Sequence, residues 1–371
     1  MLSYWEREQF LKKPDFCIVG SGIVGLTTAI FLKRKYPDSE VVIVEKGFLP
    51  DGASTKNAGF CCFGSVSELV DDFAKWPKNE VLALAQKRFL GLDLLRLLIG
   101  DDFMKYEPFG GYEVFTTKND FDKYMSFSSE LNSEFNSLIA PNVYSDASTE
   151  ISKFGFNGIA GMIRNNFEGQ VDTGQMINSL MNLAKKEGVK IFFGLGVKSF
   201  ESDSTGVNVL TQNDFNFTCR KLIVTTNGFA KQLLPELDVV PARAQVLITK
   251  PIENLKLKGS FHYDKGYYYF RNVGDRVLFG GGRNLDFDAE TTYEAGLTAL
   301  VQDKLSEILS TVILPYKKYE IDMRWSGIMG VGGEKKTIVK QVAENVFCGV
   351  RMGGMGVALG SLVGKELSEL V

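Results

Sequence analysis

The sequence predicts an α/β protein in two parts, one built from βα units and one carrying a mixed or antiparallel sheet, and three observations carry this. Asp15–Lys46, DFCIVGSGIVGLTTAIFLKRKYPDSEVVIVEK, runs as strand, glycine turn, helix and second strand. Segments of the same type return far downstream, at KLIVTTNGFAKQLL and at NVFCGVRMGGMGVALGSLVGKELSEL. Between them ARAQVLITK, YYYFRNV and RVLFGGG alternate in the way antiparallel strands do.

Taken in order, the opening unit ends at Lys46 and passes into the loop GFLPDGASTKNAGFCCFGS. Helices are expected over Asn79–Ile99 and Asp120–Leu138, with GGYEVFTT a short strand between them. VDTGQMINSLMNLAKKEGVKIFFG reads as a helix followed by a strand. KLIVTTNGFAKQLL then gives a buried strand, a glycine turn and a helix, and a further helix is expected near Tyr293–Leu309. These readings assign residues 1–75, 150–235 and 325–371 to the first domain and 76–149 and 236–324 to the second. At 371 residues the chain is long enough for both.

Composition narrows the function. Lys and Arg number 42 against 45 Asp and Glu, a formal charge of −3, which gives no field to gather nucleic acid. No apolar run reaches the roughly 18 residues of a membrane span. The five cysteines, Cys17, Cys61, Cys62, Cys219 and Cys348, show neither metal spacing nor a disulfide framework, and MLSYWEREQFLKK has no apolar leader core. A cytoplasmic protein with a small-molecule substrate is the expectation, with no nucleic acid, no transmembrane segment and no metal.

Gly20-Ser21-Gly22-Ile23-Val24-Gly25 follows a strand and opens a helix. Gly20 suits the tight turn, Gly22 lets a pyrophosphate approach the backbone, and Gly25 allows the helix to lie close to the strand. The helix N-terminus offers unpaired N–H groups to phosphate. Glu45, about 20 residues on, is placed for ribose hydroxyls, with Lys46 beside it as an ion-pair or ribose contact. NAD and FAD share this fingerprint. The loop Asp51–Phe60, rich in small residues and hydrogen-bonding side chains, suits a chain laid along a long polar cofactor, and Arg351–Val357 places a second glycine-lined helix start in the same domain. Such a helix start stabilises negative charge on a reduced ring, which favours FAD.

These motifs together resemble the D-amino-acid oxidase-like FAD-dependent oxidoreductases, relatives of glycine, sarcosine and gamma-glutamylputrescine oxidases. The resemblance rests on GxGxxG with Glu45, GASTKNAGF, VDTGQM, LIVTTNGFA, PARAQVLIT, RWSG and GGMGVALG, in the family's order along nearly the whole chain. It implies a discontinuous Rossmann-like FAD-binding domain and a substrate domain whose sheet roofs the flavin. It places Ala53, Ser54, Asn57, Ala58, Gly59 and Phe60 along the pyrophosphate–ribityl–flavin axis and Val197 against adenine. It sets Thr226 and Gly228 near pyrophosphate and ribose, and Gly353, Gly354, Met355, Gly356 and Val357 near the pyrimidine edge. Glycine-oxidase-like members follow a tryptophan-x-glycine segment, two residues later, with an arginine for the substrate carboxylate. Here Trp325-Ser326-Gly327 is followed by Ile328 and Met329, which speaks against a plain α-amino acid bound in that way; Arg271, Arg324 or Arg351 could substitute, or no carboxylate clamp is needed. The covalent flavin cysteine of monomeric sarcosine oxidases has no counterpart near Arg324–Gly330, and noncovalent FAD is expected.

The remaining candidates read two ways. Tyr267 and Tyr269 share one strand face with Arg271 and form either an aromatic cage over the flavin or plain core. His262, the one histidine, is a surface or packing residue first and a proton acceptor second. Cys61 and Cys62 read as small buried apolar groups, and Asp71-Asp72 as a helix-start or solvated pair. The expected reaction is oxidation of the C–N bond of a small amine or (N-substituted) amino acid by hydride transfer to flavin N5, with oxygen or another electron acceptor reoxidising the flavin. A flavin dehydrogenase of a 2-hydroxy acid and a non-catalytic FAD-binding subunit are the alternatives.

Overall fold

The computed structural model describes residues 3–10 and 12–371. Phe16–Val19 lies inside a six-stranded sheet ordered Ile338–Ala343, Val346–Val350, Lys221–Val224, Phe16–Val19, Val41–Val44, Lys190–Phe192. All its pairings are parallel except that of Ile338–Ala343 with Val346–Val350. FCIV and VVIV are buried at every position because both faces are covered. Phe16, Ile18 and Ile43 face helix Ile23–Lys35 and the last helix, Gly356–Leu370. The alternate residues Cys17, Val19, Val42 and Val44 meet a three-stranded sheet that contributes Val207, Val209 and Phe217.

Small residues set the helix spacing. A Cβ on Gly364 would lie 2.0 Å from Thr27 Oγ1, and one on Gly91 would lie 2.0 Å from the Ala358 carbonyl oxygen. The helix Lys78–Ile99, expected in the second domain, therefore packs directly on the last helix of the first. Among the described residues no helix is long and apolar enough to cross a membrane.

The second sheet has eight strands, ordered Ile321–Val331, Val240–Thr249, Arg276–Gly281, Tyr268–Val273, Ser260–Tyr263, Gly111–Phe115, Gly161–Asn165, Tyr144–Asp146. Only Ser260–Tyr263 with Gly111–Phe115 is parallel. Register puts Trp325, Val246, Gly280, Tyr269, His262 and Glu113 in one transverse row. The adjacent row, Arg324, Leu247, Phe279, Phe270, Phe261 and Tyr112, takes the opposite face because strand residues alternate. That face is a stacked aromatic core, with ring centroids 4.9 Å apart for Phe261–Phe270 and for Tyr112–Phe261, covered by helix Ala299–Ile308.

Several segments differ from expectation. Residues 325–331 continue an edge strand of the eight-stranded sheet, paired with Val240–Thr249 without a break from Met323 to Val331, so the boundary at 325 falls inside a strand. Gly161–Asn165, expected in the first domain, also belongs to this sheet. Asp120–Leu138 is two helices, Lys118–Met125 and Ser128–Leu138, and Tyr293–Leu309 becomes helical only at Ala299. After Lys221–Val224 the chain makes a 3₁₀ turn, Asn227–Gln232, instead of a helix; Asn227 starts it at φ +44° and Pro235 lies just beyond.

Candidate active site

A cavity of about 930 Å³ lies between the six-stranded sheet and the roof formed by the eight-stranded one. At one end the opening glycine motif forms its wall. Gly20 turns at φ +105°, and a Cβ on Gly25 would stand 2.0 Å from the Gly20 carbonyl oxygen, so Gly25 is a packing glycine and not part of the lining. Ser54 Oγ accepts the Ile23 N–H at 3.1 Å, while the N-cap Gly22 has no capping side chain. Glu45 is buried; Oε2 accepts from Ser21 N–H and Oγ–H at 2.9 and 2.7 Å, and Oε1 from Gly47 N–H at 3.1 Å. Lys46 makes no ion pair among the described residues and lies 3.6 Å over the Phe229 ring. Val197 lines the cavity where the strand Val197–Asp203 begins.

The loop 53–60 runs along the wall as a helical turn, Ala53–Lys56, followed by extended chain. Asn57 organises it, donating to the Ser54 carbonyl at 2.8 Å and accepting the Gly59 N–H at 2.7 Å. Two side chains reach down from the roof: Trp325 Nε1 donates to the Lys56 carbonyl at 3.0 Å, and Arg271 donates to the carbonyls of Ala58 and, at 2.8 Å, Val171.

That geometry corrects the arginine expectations. Arg271 shares the Tyr269 face but is buried beneath the loop with its donors spent on carbonyls, outside the cavity lining; burial draws its pKa down to about 10. Arg324, one residue before Trp325, falls on the other face and donates to Gln302 and Ser306 of the covering helix. Arg351 follows its strand at φ +65° and donates to Asp238 Oδ2 at 2.6 Å and the Lys336 carbonyl at 2.8 Å. None of the three is free to meet a ligand in the cavity.

The far glycine segment is pinned by Asn227, whose Oδ1 accepts the N–H groups of Arg351 and Met352, each at 3.1 Å. Gly353 and Gly354 follow at φ +59° and +83°, and a Cβ on Gly353 would meet nothing within 4 Å. Helix Gly356–Leu370 starts there, with Met355 and Val357 on the wall. Gly228 is not lining; a Cβ on it would stand 2.5 Å from the Met329 carbonyl oxygen, so it packs the turn against the roof. Thr226 Oγ1 lines the wall, buried, without a hydrogen-bond partner among the described residues.

Under the roof the side chains are aromatic and apolar. Phe60 stands edge-on to Tyr269 at 5.7 Å and to His262 at 5.3 Å, with Ile328 and Met329 nearby on the wall. Tyr267, 45% exposed, lies at the rim in the turn that precedes strand Tyr268–Val273, so of the two tyrosines expected on one strand face only Tyr269 is on the strand and enclosed. Burial pushes the Tyr269 hydroxyl up to about 12 and pulls His262 down to about 4, leaving both neutral at ordinary pH. Of the two roles expected first for His262, the surface one is excluded: it packs against Phe60 on the cavity wall, and its Nε2 has no partner among the described residues. Arg283, which no sequence motif singled out, also lines the cavity.

The mouth is held by ion pairs. Asp71 and Asp72 end helix Val66–Phe73 instead of starting it, and neither is simply solvated: Lys265 reaches Asp71 at 3.0 Å, and Lys335 reaches Asp72 at 2.6 Å and Glu68 at 2.9 Å. Burial alone would raise Glu68, but Arg88 and Lys335 hold it down to about 2.

The family model described as DAO, FAD dependent oxidoreductase, matches residues 15–370. The chain belongs to this family. It is an FAD-dependent oxidoreductase enzyme. The structure is similar to glycine oxidase from Bacillus cereus, with TM-score 0.77, 18% identity, and coverage of 96% of this chain and 94% of that one. It is also similar to L-proline dehydrogenase from P. horikoshii, with TM-score 0.78, 17% identity, and coverage of 97% and 94%. At these identities the likeness speaks for the fold. The bifunctional protein ThiO/ThiG of Synechocystis is 24% identical over 236 residues, 63% of this chain; the match spans about a third of that relative's length, 32%.

The residues present fit the family's cofactor. A Cβ on Gly22 would stand only 2.8 Å from Ser54 Oγ, so the open backbone above the helix start depends on glycine. The unpartnered Thr226 hydroxyl and the open space over Gly353 are further places for a polar ligand's atoms. At about 930 Å³ the cavity is at the top of the range for ligand sites, as a dinucleotide requires. Cys62 is on the wall, but burial pushes its thiol well above the usual range, so it holds little of the nucleophilic thiolate.

Proposed function

We propose that this FAD-dependent oxidoreductase oxidises the C–N bond of a small amine or amino acid, N-substituted ones included, with FAD held noncovalently. The observation that carries the reading is the chamber under the roof, where Phe60, Tyr269, Ile328 and Met329 give apolar faces around a neutral histidine. Bound FAD would supply the two-electron acceptor for a hydride leaving the carbon beside nitrogen. The protein's part is to bind, orient and exclude water. The apolar walls favour the neutral amine over its ammonium, and His262 Nε2 offers an acceptor to its N–H. The start of helix Gly356–Leu370 presents its positive end to developing negative charge. Glu45, Ser54, Thr226 and the glycines of both loops would hold the dinucleotide, and the protonated thiol of Cys62 supports a dissociable one. The names of the structural neighbours agree, since glycine and L-proline both carry such a bond. Five free, buried cysteines support a reducing compartment.

The unpartnered His262 Nε2 also favours a second reading, in which it takes the hydroxyl proton of a 2-hydroxy acid. Anaerobic mixing of the yellow protein with amines, amino acids and 2-hydroxy acids separates the two. Bleaching of the flavin absorbance by amines or amino acids alone is expected; bleaching by 2-hydroxy acids alone would reverse the assignment.

A further inference from the structure

We infer that Glu113 takes the proton an ammonium substrate sheds inside the cavity, with the Ser65 hydroxyl as the link between them; this rests on the C–N oxidation reading. Hydride leaves the carbon beside nitrogen only when the nitrogen lone pair is free, whereas an aliphatic amine in neutral water is a cation, as the lysine value near about 10 shows. A proton must therefore be lost on the way in. The chamber itself holds no base for it, because burial pulls His262 down to about 4. The acids along the wall are already committed: Glu45 to three donors, Glu68 to Arg88 and Lys335, Asp71 to Lys265 and Asp72 to Lys335. Glu113 is buried and makes no ion pair among the described residues. Glu168 is buried without a cation too, but it accepts only the backbone N–H groups of Phe63 and Gly64, which cannot pass a proton on.

Sheet register sets Glu113 beside His262, across the parallel pairing of Gly111–Phe115 with Ser260–Tyr263, on the cavity side of the roof. The start of helix Val66–Phe73 closes over it. Oε1 accepts the Ser65 hydroxyl at 3.3 Å and the Ser67 hydroxyl, and Oε2 accepts the Ser67 N–H at 3.1 Å. Glu113 is off the cavity lining and Ser65 is on it, so one hydroxyl separates the carboxylate from the cavity. Of the two lone pairs on Ser65 Oγ, one accepts the Glu68 N–H at 3.3 Å and the other is left for an ammonium. The transfer balances. The ammonium N–H bond breaks as that hydrogen bonds to Ser65 Oγ, and the serine O–H bond breaks as its hydrogen bonds to Glu113 Oε1. A cation and an anion become a neutral amine and a neutral carboxyl, which dry surroundings favour. The titratable groups around Glu113 are Glu68 on the helix, His262 on the adjoining strand, Glu168 and Tyr144, with Arg88 and Lys335 reaching it only through Glu68. Burial raises Glu113 to about 7, which makes its carboxylate a stronger base than His262.

The test mixes holoenzyme anaerobically with glycine, L-proline and benzylamine from pH 6 to pH 10 and follows bleaching of the flavin. In wild type, bleaching efficiency should rise with pH through about 7 and then level off, because ammonium and ionised Glu113 together are the productive pair. Glu113→Gln keeps an oxygen for the Ser67 N–H and should keep its FAD. Only amine already neutral in solution can then react, so its efficiency should approach wild type near pH 9 and fall about tenfold per pH unit below that, to about 100-fold at pH 7. Ser65→Ala should give the same profile. A second measurement counts protons in weakly buffered dye at pH 8 as tert-butylamine, which has no hydrogen on the carbon beside nitrogen, binds the oxidised protein. Wild type should release almost none, and Glu113→Gln about one per amine bound. A Glu113→Gln profile parallel to wild type at every pH, or equal proton release in the two, makes Glu113 a mere anchor for the helix and overturns the inference while the C–N reading stands. Bleaching by 2-hydroxy acids alone, in wild type as in Glu113→Gln, overturns the C–N reading and the inference with it.

Discussion

At the end of the cavity beneath Gly22 and Glu45, what the protein offers a ligand is chiefly backbone: N–H groups of a helix start, glycines that admit close approach, and one carboxylate already orientated by three donors. At the end beneath Tyr269 it offers side chains brought together from five different strands or loops, namely Phe60, His262, Tyr269, Arg283 and Met329. The first end is written in contiguous sequence, because a strand, a turn and a helix must follow one another to build it. The second depends on sheet register, which no local window contains. Recognition by backbone tolerates little change, whereas recognition by side chains can be re-specified residue by residue on the same roof.

The strongest way to break this comparison is Gly22→Val. The new side chain would meet only Ser54, so the chain should fold, yet its methyl groups would fill the backbone opening. Purified variant should be colourless, and acid precipitation should release no flavin where wild type releases about one per chain; normal flavin content would refute the placement. Arg271→Met comes next. It leaves the buried carbonyls of Ala58 and Val171 without their donor, a loss of about 2–5 kcal/mol in stability, and flavin content should drop with it. Wild-type stability and flavin content in the variant would refute this role for the tie.

Glu45→Ala should be milder, weakening FAD by about 2 kcal/mol, some thirty-fold in Kd by apoprotein titration. Ser21 and Gly47 would lose their acceptor, and the fold should survive.

Glu168 sharpens the comparison through pH. It is buried outside the cavity lining, accepting the N–H groups of Phe63 and Gly64 at 2.9 and 3.3 Å. Burial raises its pKa from 4.5 to about 8, so the folded protein keeps a proton that the unfolded chain releases near pH 4.5. Its contribution is whole below that pH and is lost as pH rises through about 8. Glu168→Gln retains the accepting oxygen without the charge. Thermal melts should therefore match wild type at pH 4 and exceed it at pH 9, by on the order of 5 kcal/mol. A difference of the opposite sign would mean that the carboxylate is ionised in the folded state. The smallest effect is expected from Tyr269→Phe. Tyr269 packs by its ring against Phe60, and stability should move by less than about 0.5 kcal/mol.

Sequence carried the βαβ opening, the return of the chain to that domain, the loop at 53–60 and the glycine segment at 353–357, because each is a local pattern with its own periodicity. It misplaced the boundary at 325, since strand Ile321–Val331 looks the same whether it belongs to one sheet or the other until its partner Val240–Thr249 is known. Arg324 and Trp325 are neighbours in sequence and face opposite sides of the roof, so the motif RWSG gave the tryptophan a tie to the loop and the arginine none to the cavity. His262 read as a surface or packing residue, and pairing with Tyr269 across the sheet is what places it on the cavity wall. A signal for Arg283 was present in the run Gly280-Gly281-Gly282 before it. Consecutive glycines ending a strand mark a turn that aims the next side chain away from the sheet.

The two ties from the roof to the loop, Trp325 to the Lys56 carbonyl and Arg271 to that of Ala58, couple parts of the chain more than 200 residues apart. Loop 53–60 keeps its shape only while the eight-stranded sheet is intact. A flavin resting on that loop would thus act as a gauge of the distant sheet: its release on heating should coincide with loss of the sheet, and saturating FAD should raise the melting temperature of both domains together. Cutting both ties at once, in a Trp325→Phe, Arg271→Met double variant, should separate the two events, with yellow colour lost first and the fold later.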